Sequence, residues 1–196
     1  MKRIIDIIIS LSLLILLMPL ILFFCLLIKL IMGSPIFFIQ ERPGLNGKLF
    51  KIIKFRTMLF TNTSFINTNL DIQRTTKLGN FMRNFSIDEL PGLFNVLIGN
   101  MSIVGPRPLL KEYLSEYTVD EFRRHKVKPG ITGWAQIYGR NKLSWNETFQ
   151  KDLWYVENNN IFLDFKIMLI TFIVILRRGG INESNSMTKT KFTKNE

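Results

Sequence analysis

Apolar and polar positions divide this chain unevenly. Between Asp6 and Lys29 no residue is charged, and positions 7–28 are almost wholly apolar. As a helix that run extends ~33 Å, enough to cross the hydrocarbon core of a bilayer. Basic residues stand on both sides of it: Lys2 and Arg3 before, then Lys29, Arg42, Lys48, Lys51, Lys54 and Arg56 after. Basic flanks favour the cytoplasmic face, so a simple span would leave one flank on the wrong side. Pro19, near the middle, removes a helical hydrogen bond and favours a kink or break. Two half-helices of roughly 16 Å each could enter and leave on one face. A re-entrant helix-break-helix over residues 1–33 is therefore predicted. A kinked ordinary transmembrane helix stays open as the alternative, because neighbouring groups can satisfy the backbone around a proline. Met18 beside the proline offers no hydroxyl for that purpose. A secretory signal peptide fits less well, since the run is long and ends without a small-x-small cleavage site.

Beyond the apolar run the pattern changes to short elements. Residues 35–40 and 48–55 are rich in β-formers and flank the Pro-Gly-Leu-Asn-Gly stretch 43–47, which predicts a hairpin. A polar Asn- and Thr-rich loop is expected over 61–71. Helices are predicted over 75–84, 88–97, 109–126 and 145–156, with a strand-like stretch over 129–138. Residues 167–176 form a second uncharged apolar run, bounded by Lys166 and by Arg177 and Arg178. Ten residues cannot span a bilayer, so an interfacial helix or a buried core helix are the two readings. From Asn182 the chain is polar and a disordered tail is expected. The fold class is α+β and mainly helical: a membrane segment 1–33, one catalytic domain 34–181 at the membrane interface including the interfacial C-terminal helix, and a tail 182–196.

Composition narrows the partners. The chain has 196 residues and a formal net charge of +11, with 26 Lys and Arg against 15 Asp and Glu. One core-bearing domain is expected from that length, and an anionic partner from that charge: a phosphate-bearing substrate, acidic lipid or nucleic acid. The lone cysteine, Cys25, lies in the apolar run and excludes an internal disulfide framework.

Candidate chemistry gathers in the segment Ser86-Ile87-Asp88-Glu89-Leu90-Pro91. By itself the acidic pair reads as a cap: Ser86 and Glu89 match a capping box, and acids complement a helix dipole. With Asp88 as the N-cap, Pro91 falls at N3, where no intrahelical donor is lost. Its company points further. Arg83 precedes Asp88 by five residues, and Gly105-Pro106-Arg107-Pro108 holds an arginine between two prolines, preplaced for a phosphate. Pro129-Gly130-Ile131-Thr132-Gly133-Trp134-Ala135-Gln136 carries glycines that permit close backbone approach, and Gly139-Arg140-Asn141 follows it. His125, the only histidine, sits within Arg123-Arg124-His125-Lys126; these cations disfavour its protonation, and a structural or surface role is expected rather than general-base work.

Taken together these motifs resemble the bacterial sugar transferase family, and within it the small monotopic phosphoglycosyl transferases. Arg42-Pro43-Gly44, Lys54-Phe55-Arg56-Thr57-Met58, the Asp88-Glu89 segment, Leu93-Phe94-Asn95-Val96-Leu97, Gly105-Pro106-Arg107-Pro108 and the 129–136 segment carry the resemblance, which runs from the membrane segment to about Gly179. It implies transfer of a phosphosugar from a UDP-sugar donor to a polyprenol phosphate acceptor, undecaprenyl phosphate, releasing UMP. Asp88 would be the nucleophile of a covalent intermediate, and Asp88 and Glu89 would hold Mg2+. Lys54, Arg83, Arg107 and Arg140 would contact phosphates. Membrane lipids are implied partners and nucleic acid is not. The bacterial inner membrane is the implied location, with the catalytic domain facing the cytoplasm. Two departures stand out: Met18 where the family often has Ser before the membrane proline, and Asn100 where it usually has Asp. An Asn caps a turn as well as an Asp does. Two rivals are a noncatalytic binder of anionic lipid or nucleic acid and a metal-dependent glycosyl transferase; the chain contains no Asp-x-Asp triplet for the latter.

Overall fold

The computed structural model describes residues 1–59, 74–139, 143–176 and 192. The chain is mainly helical, with two small two-stranded sheets. Helix α1, Lys2–Met32, is the one described helix long and apolar enough to cross a membrane. It runs through Pro19 without interruption, where a break was expected. A proline costs one backbone donor and crowds the preceding turn, and a helix can absorb both by bending. Asp6, Ser10, Leu14, Ile21, Phe24 and Ile28 recur at helical spacing and face the body of the protein, whereas Ile15, Leu16, Leu22, Phe23, Leu26 and Leu30 face outward.

Both ends of α1 are fastened to the same body. At its start, the Arg3 guanidinium donates to the carbonyls of Val96 (2.5 Å) and Leu97 (2.7 Å). Asp6 accepts from Ser102 Oγ (3.0 Å) and the Ile103 amide (2.9 Å). The Lys2 ammonium donates to the Val104 carbonyl and the Tyr155 hydroxyl and pairs with Asp164. At its far end, buried Arg56 donates to the carbonyls of Met32, Gly33 and Ser34.

The predicted hairpin is present as β1, Phe37–Pro43, antiparallel to β2, Leu49–Phe55. A 3-10 turn, Leu45–Gly47, joins them, with Asn46 and Gly47 both at positive φ. Helix α2, Lys77–Asn84, starts where expected because Thr76 Oγ1 accepts from the Gly79 amide. Helix α3, Gly92–Ile98, precedes a parallel pair, β3, Ser102–Val104, and β4, Gly130–Thr132.

Two expectations are corrected in this stretch. Instead of one helix over 109–126 there is a 3-10 turn, Lys111–Ser115, a short helix α4, Val119–Phe122, and a second 3-10 turn, Arg123–Lys126. Thr118 restarts the chain with a capping box to Glu121, so the local cap prevails over the apolar period. The strand expected over 129–138 stops at Thr132, and extended Gly133 leads into α5, Trp134–Ile137.

Helix α6, Trp145–Asn158, follows the prediction and is capped by a Ser144–Glu147 box. Helix α7, Ile161–Leu176, begins six residues before the apolar run that announced it. Its buried side carries Asp164 and Ile167, and Thr171 bonds Thr132 (2.7 Å), while Phe162, Phe165, Leu169 and Phe172 point outward. The loop 61–71, Arg140 and nearly all of the tail lie outside the described residues. Phe192 is described, and it is buried against Tyr113, Trp145 and Phe149.

Candidate active site

The acidic pair sits on a tight turn between α2 and α3. Ser86 adopts a left-handed backbone, φ 56°, rare for a residue with a Cβ, and a 3-10 turn Ile87–Glu89 follows. Pro91 stands at the cap position of α3. The Ser86 side chain does not cap this turn, and the Glu89 carboxylate does not fold back on it. The capping-box reading is thereby replaced. Glu89 Oε1 instead accepts from Lys54 Nζ on β2 (2.7 Å) and from Arg107 Nη2 (2.8 Å).

Each partner is held in turn. Asn95 on α3 is fully buried; its Oδ1 accepts from the Ile53 amide (3.0 Å) and its Nδ2 donates to the Lys51 carbonyl (2.8 Å). That amide stitches β2 to α3 and so sets Lys54 opposite Glu89. Arg107 projects from a loop wedged against β4. The Gly105 amide donates to Thr132 O (2.9 Å) and the Gly130 amide to Pro106 O (3.0 Å). A Cβ on Gly105 would stand 2.3 Å from Lys128 O, and one on Gly133 would stand 2.2 Å from Gly105 O. The glycines of the 129–136 segment thus serve backbone-on-backbone packing that seats Arg107, with Gly130 also reaching the pocket wall.

A cleft lies over this arrangement. Arg42, Lys54, Glu89 and Arg107 form its polar lining, and Ile52, Ile53, Met101, Pro108, Leu109 and Ile131 its apolar lining. Asp88 is one residue along the turn and is not part of that lining. Arg83 stands beside the turn and donates from Nε to Thr57 Oγ1 (2.9 Å). The structure therefore brings Lys54, Arg83 and Arg107 together around Asp88 and Glu89. Arg42 also lines the cleft and was not among the predicted site residues, although its Arg-Pro-Gly motif was the signal. Its guanidinium bonds Gln40 Oε1 (2.6 Å), and burial together with nearby Arg107 lowers its pKa to about 10. Asn95 was likewise visible only as part of a motif. His125 is buried, its Nδ1 donating to Gly44 O (3.2 Å), and burial with neighbouring Arg124 lowers its pKa to about 4. It supports the hairpin turn, in line with the structural role expected.

The two adjacent carboxylates are driven in opposite directions. Burial, then the negative charge of Glu89, raises Asp88 to about 6, against the pull of Lys54, Arg107 and Arg83. Burial also opposes ionisation of Glu89, but Arg107 and Lys54 outweigh it and hold that carboxyl well below the usual range. Lys54 is lowered chiefly by its own burial and by Arg107, while Arg107 is raised by Glu89. Among the described residues no group of three His, Cys, Asp or Glu could hold a metal ion. Asp88 and Glu89 are the acidic groups available here.

A half-buried pair of carboxylates among cations, on a domain carrying a long apolar helix, suits phosphate-bearing substrates. The bacterial sugar transferase family model matches residues 1–178. The chain belongs to the bacterial sugar transferase family. It is 50% identical over 193 residues to the uncharacterized sugar transferase EpsL of Bacillus subtilis, covering 98% of this chain and 96% of that one. It is 41% identical to the UDP-glucose:undecaprenyl-phosphate glucose-1-phosphate transferase of Klebsiella pneumoniae, covering 93% of this chain and 41% of that protein. With the undecaprenyl-phosphate galactose phosphotransferase of Salmonella typhimurium the identity is 36%, covering 92% of this chain and 41% of the relative. The chain thus spans nearly all of EpsL and about two fifths of the two relatives whose names state an activity.

Proposed function

We propose that this chain transfers a sugar 1-phosphate from a UDP-sugar to undecaprenyl phosphate, releasing UMP, as a first membrane step in building a bacterial glycoconjugate. The observation that carries the reading is the division of labour between the two carboxylates. Glu89 is occupied by Lys54 and Arg107, and Asp88 beside it is left as an ionisable carboxyl near pH 6 among three cations. A carboxylate in that setting is suited to covalent catalysis on an anionic substrate. Asp88 attacks the sugar-proximal phosphorus, the bond to the bridging oxygen breaks, and UMP leaves with that electron pair. An oxygen of undecaprenyl phosphate then attacks the same phosphorus and displaces the Asp88 carboxylate, giving the diphosphate-linked lipid sugar. Lys54, Arg83, Arg107 and Arg42 stabilise phosphate charge in both steps, and Arg140 joins them on the sequence pattern alone.

Two carboxylates suit Mg2+, which takes one or two protein carboxylates and completes its shell with water and substrate phosphate. Asp88 and Glu89 would hold it, Asp88 foremost because Glu89 already serves two cations; when bound, the ion would neutralise phosphate charge.

Residues 1–33 form the membrane segment in this reading, residues 34–181 the catalytic domain, and 182–196 a tail. A helix tied at Lys2, Arg3 and Asp6 and again at Met32–Ser34 to one folded body is poorly suited to placing its ends across a bilayer. Doing so would draw polar backbone of that body through hydrocarbon. This supports a re-entrant segment that bends at Pro19 without losing its helix, on the cytoplasmic face of the inner membrane. The outward apolar side of α7 adds a second interfacial contact.

The test is nucleotide release by detergent-solubilised protein with undecaprenyl phosphate, Mg2+ and a panel of UDP-sugars including UDP-glucose and UDP-galactose. UMP is expected from a matching donor and is lost in Asp88→Asn. Release of UDP would mean simple glycosyl transfer and would sink the mechanism.

A further inference from the structure

Outside the cleft, one charged pair is sealed almost completely. Arg124, on the 3-10 turn Arg123–Lys126, and Asp152, on α6, expose 1% and 2% of their side chains. Asp152 Oδ2 accepts from Arg124 Nε (3.1 Å) and Nη2 (2.6 Å). The same Nη2 donates to the backbone carbonyl of Arg107 (2.8 Å), and the Arg124 guanidinium lies 5.8 Å from the centroid of the Phe149 ring. Burying two charges is costly and does not by itself stabilise a fold relative to apolar packing. A fork that reaches two acceptors at once is instead suited to fixing geometry.

What it bonds is the backbone of an arginine in the cleft wall. Arg107 stands between Pro106 and Pro108, and the carbonyls of Pro106 and Arg107 are both taken, by the Gly130 amide and by Arg124. Its side chain is the partner of Glu89. Were the Arg107 carbonyl released, the loop would be clamped from the β4 side alone, and the guanidinium could drift from Glu89.

We propose that Arg124, fixed by Asp152, is a positioning residue for phosphosugar transfer: it acts through the Arg107 carbonyl to hold the Arg107 guanidinium on Glu89. This rests on the reading of Arg107 as a phosphate-binding residue. A lysine at 124 keeps the charge but loses the Nε–H bond to Asp152 and with it the planar fork, so nothing fixes the direction in which its nitrogen meets the Arg107 carbonyl.

The test is a double-mutant cycle on UMP release, with Arg124→Lys, Arg107→Ala and the two combined. Arg124→Lys is expected to lower kcat at least about tenfold in the parent. It should add less than about twofold in the Arg107→Ala background, since its route of action is then gone. An equal loss in both backgrounds, or no loss in the parent, overturns the proposal. Should Arg124→Lys fail to fold by its thermal midpoint, Asp152→Asn replaces it in the same cycle. Amide exchange at Gly105 and Gly130, measured without donor, keeps the two readings apart. If the parent protein releases no UMP from any donor, the proposed function fails. Faster exchange at these amides in the 124 variant then still sustains the positioning role, and unchanged protection overturns it.

Discussion

Two arginine–carboxylate pairs face each other across the Gly105–Pro108 loop, and their difference separates working parts from scaffold. Arg107 and Glu89 meet in the cleft wall with 47% and 18% of their side chains exposed, whereas Arg124 and Asp152 are closed off at 1% and 2%. The open pair can trade partners: an incoming phosphate can draw Arg107 and Lys54 toward itself while Glu89 keeps them oriented. The closed pair is shut off from solvent and is suited to holding position. The same chemistry therefore does two jobs, divided by access to solvent and substrate.

The largest change is expected between the two carboxylates of the turn. Asp88→Asn should lower UMP release by at least about a thousandfold, since no neighbouring group replaces a covalent nucleophile. Its thermal midpoint should stay level or rise. The folded pKa of Asp88 lies above the free value, so the ionised carboxylate is the form the fold disfavours at neutral pH. Next comes the closed pair: Asp152→Ala leaves Arg124 buried without its counter-ion and should cost about 3–5 kcal/mol, read by denaturant unfolding in detergent. The open pair should show the reverse profile. Arg107→Ala is expected to lower UMP release by about a hundredfold, while stability shifts by no more than about 1 kcal/mol, because the pair is partly solvated. Equal stability losses at Asp152 and Arg107 would erase the distinction between the pairs.

The smallest effect is one of titration. In metal-free protein the Asp88 carboxyl, followed by carbon-13 NMR, should titrate with a midpoint about 6. Chemistry that needs the carboxylate is present above that value and is lost as pH falls through it. Glu89→Gln removes the adjacent negative charge and leaves Lys54 and Arg107 in place, so the midpoint should move down. A midpoint that stays put would show that burial alone sets it.

Much of the framework was legible in the chain. The apolar run announced α1, the Pro-Gly-Leu-Asn-Gly stretch announced the hairpin turn, and the helical pattern over 145–156 announced α6. Each is a signal contained within a few residues. The misses share the opposite property. The Ser86–Glu89 pattern reads locally as a cap, but Glu89 turns to Lys54 and Arg107, which stand 35 and 18 residues away. Lys2 and Arg3 read as topology signals, and they also bond groups some 90 to 160 residues on. Glycines 130 and 133 read as room for a ligand, and they chiefly make room for Gly105. Asn95 was visible only as part of a motif and Asp152 had no local signal, since neither sits in a pattern that periodicity or capping explains.

The sequence by itself determined the apolar helix, the hairpin, the order of motifs and, through them, the family. Hydrophobic period, turn residues and caps act over one or two turns of chain, so they can be read without a fold. Only the tertiary structure decided which carboxylate is clasped and which is left ionisable, and which arginine lines the cleft while another bonds its backbone carbonyl. Those roles depend on burial and on charges brought together from distant segments, and the field at Asp88 exists only once β2, the Gly105–Pro108 loop and the 86–91 turn have met.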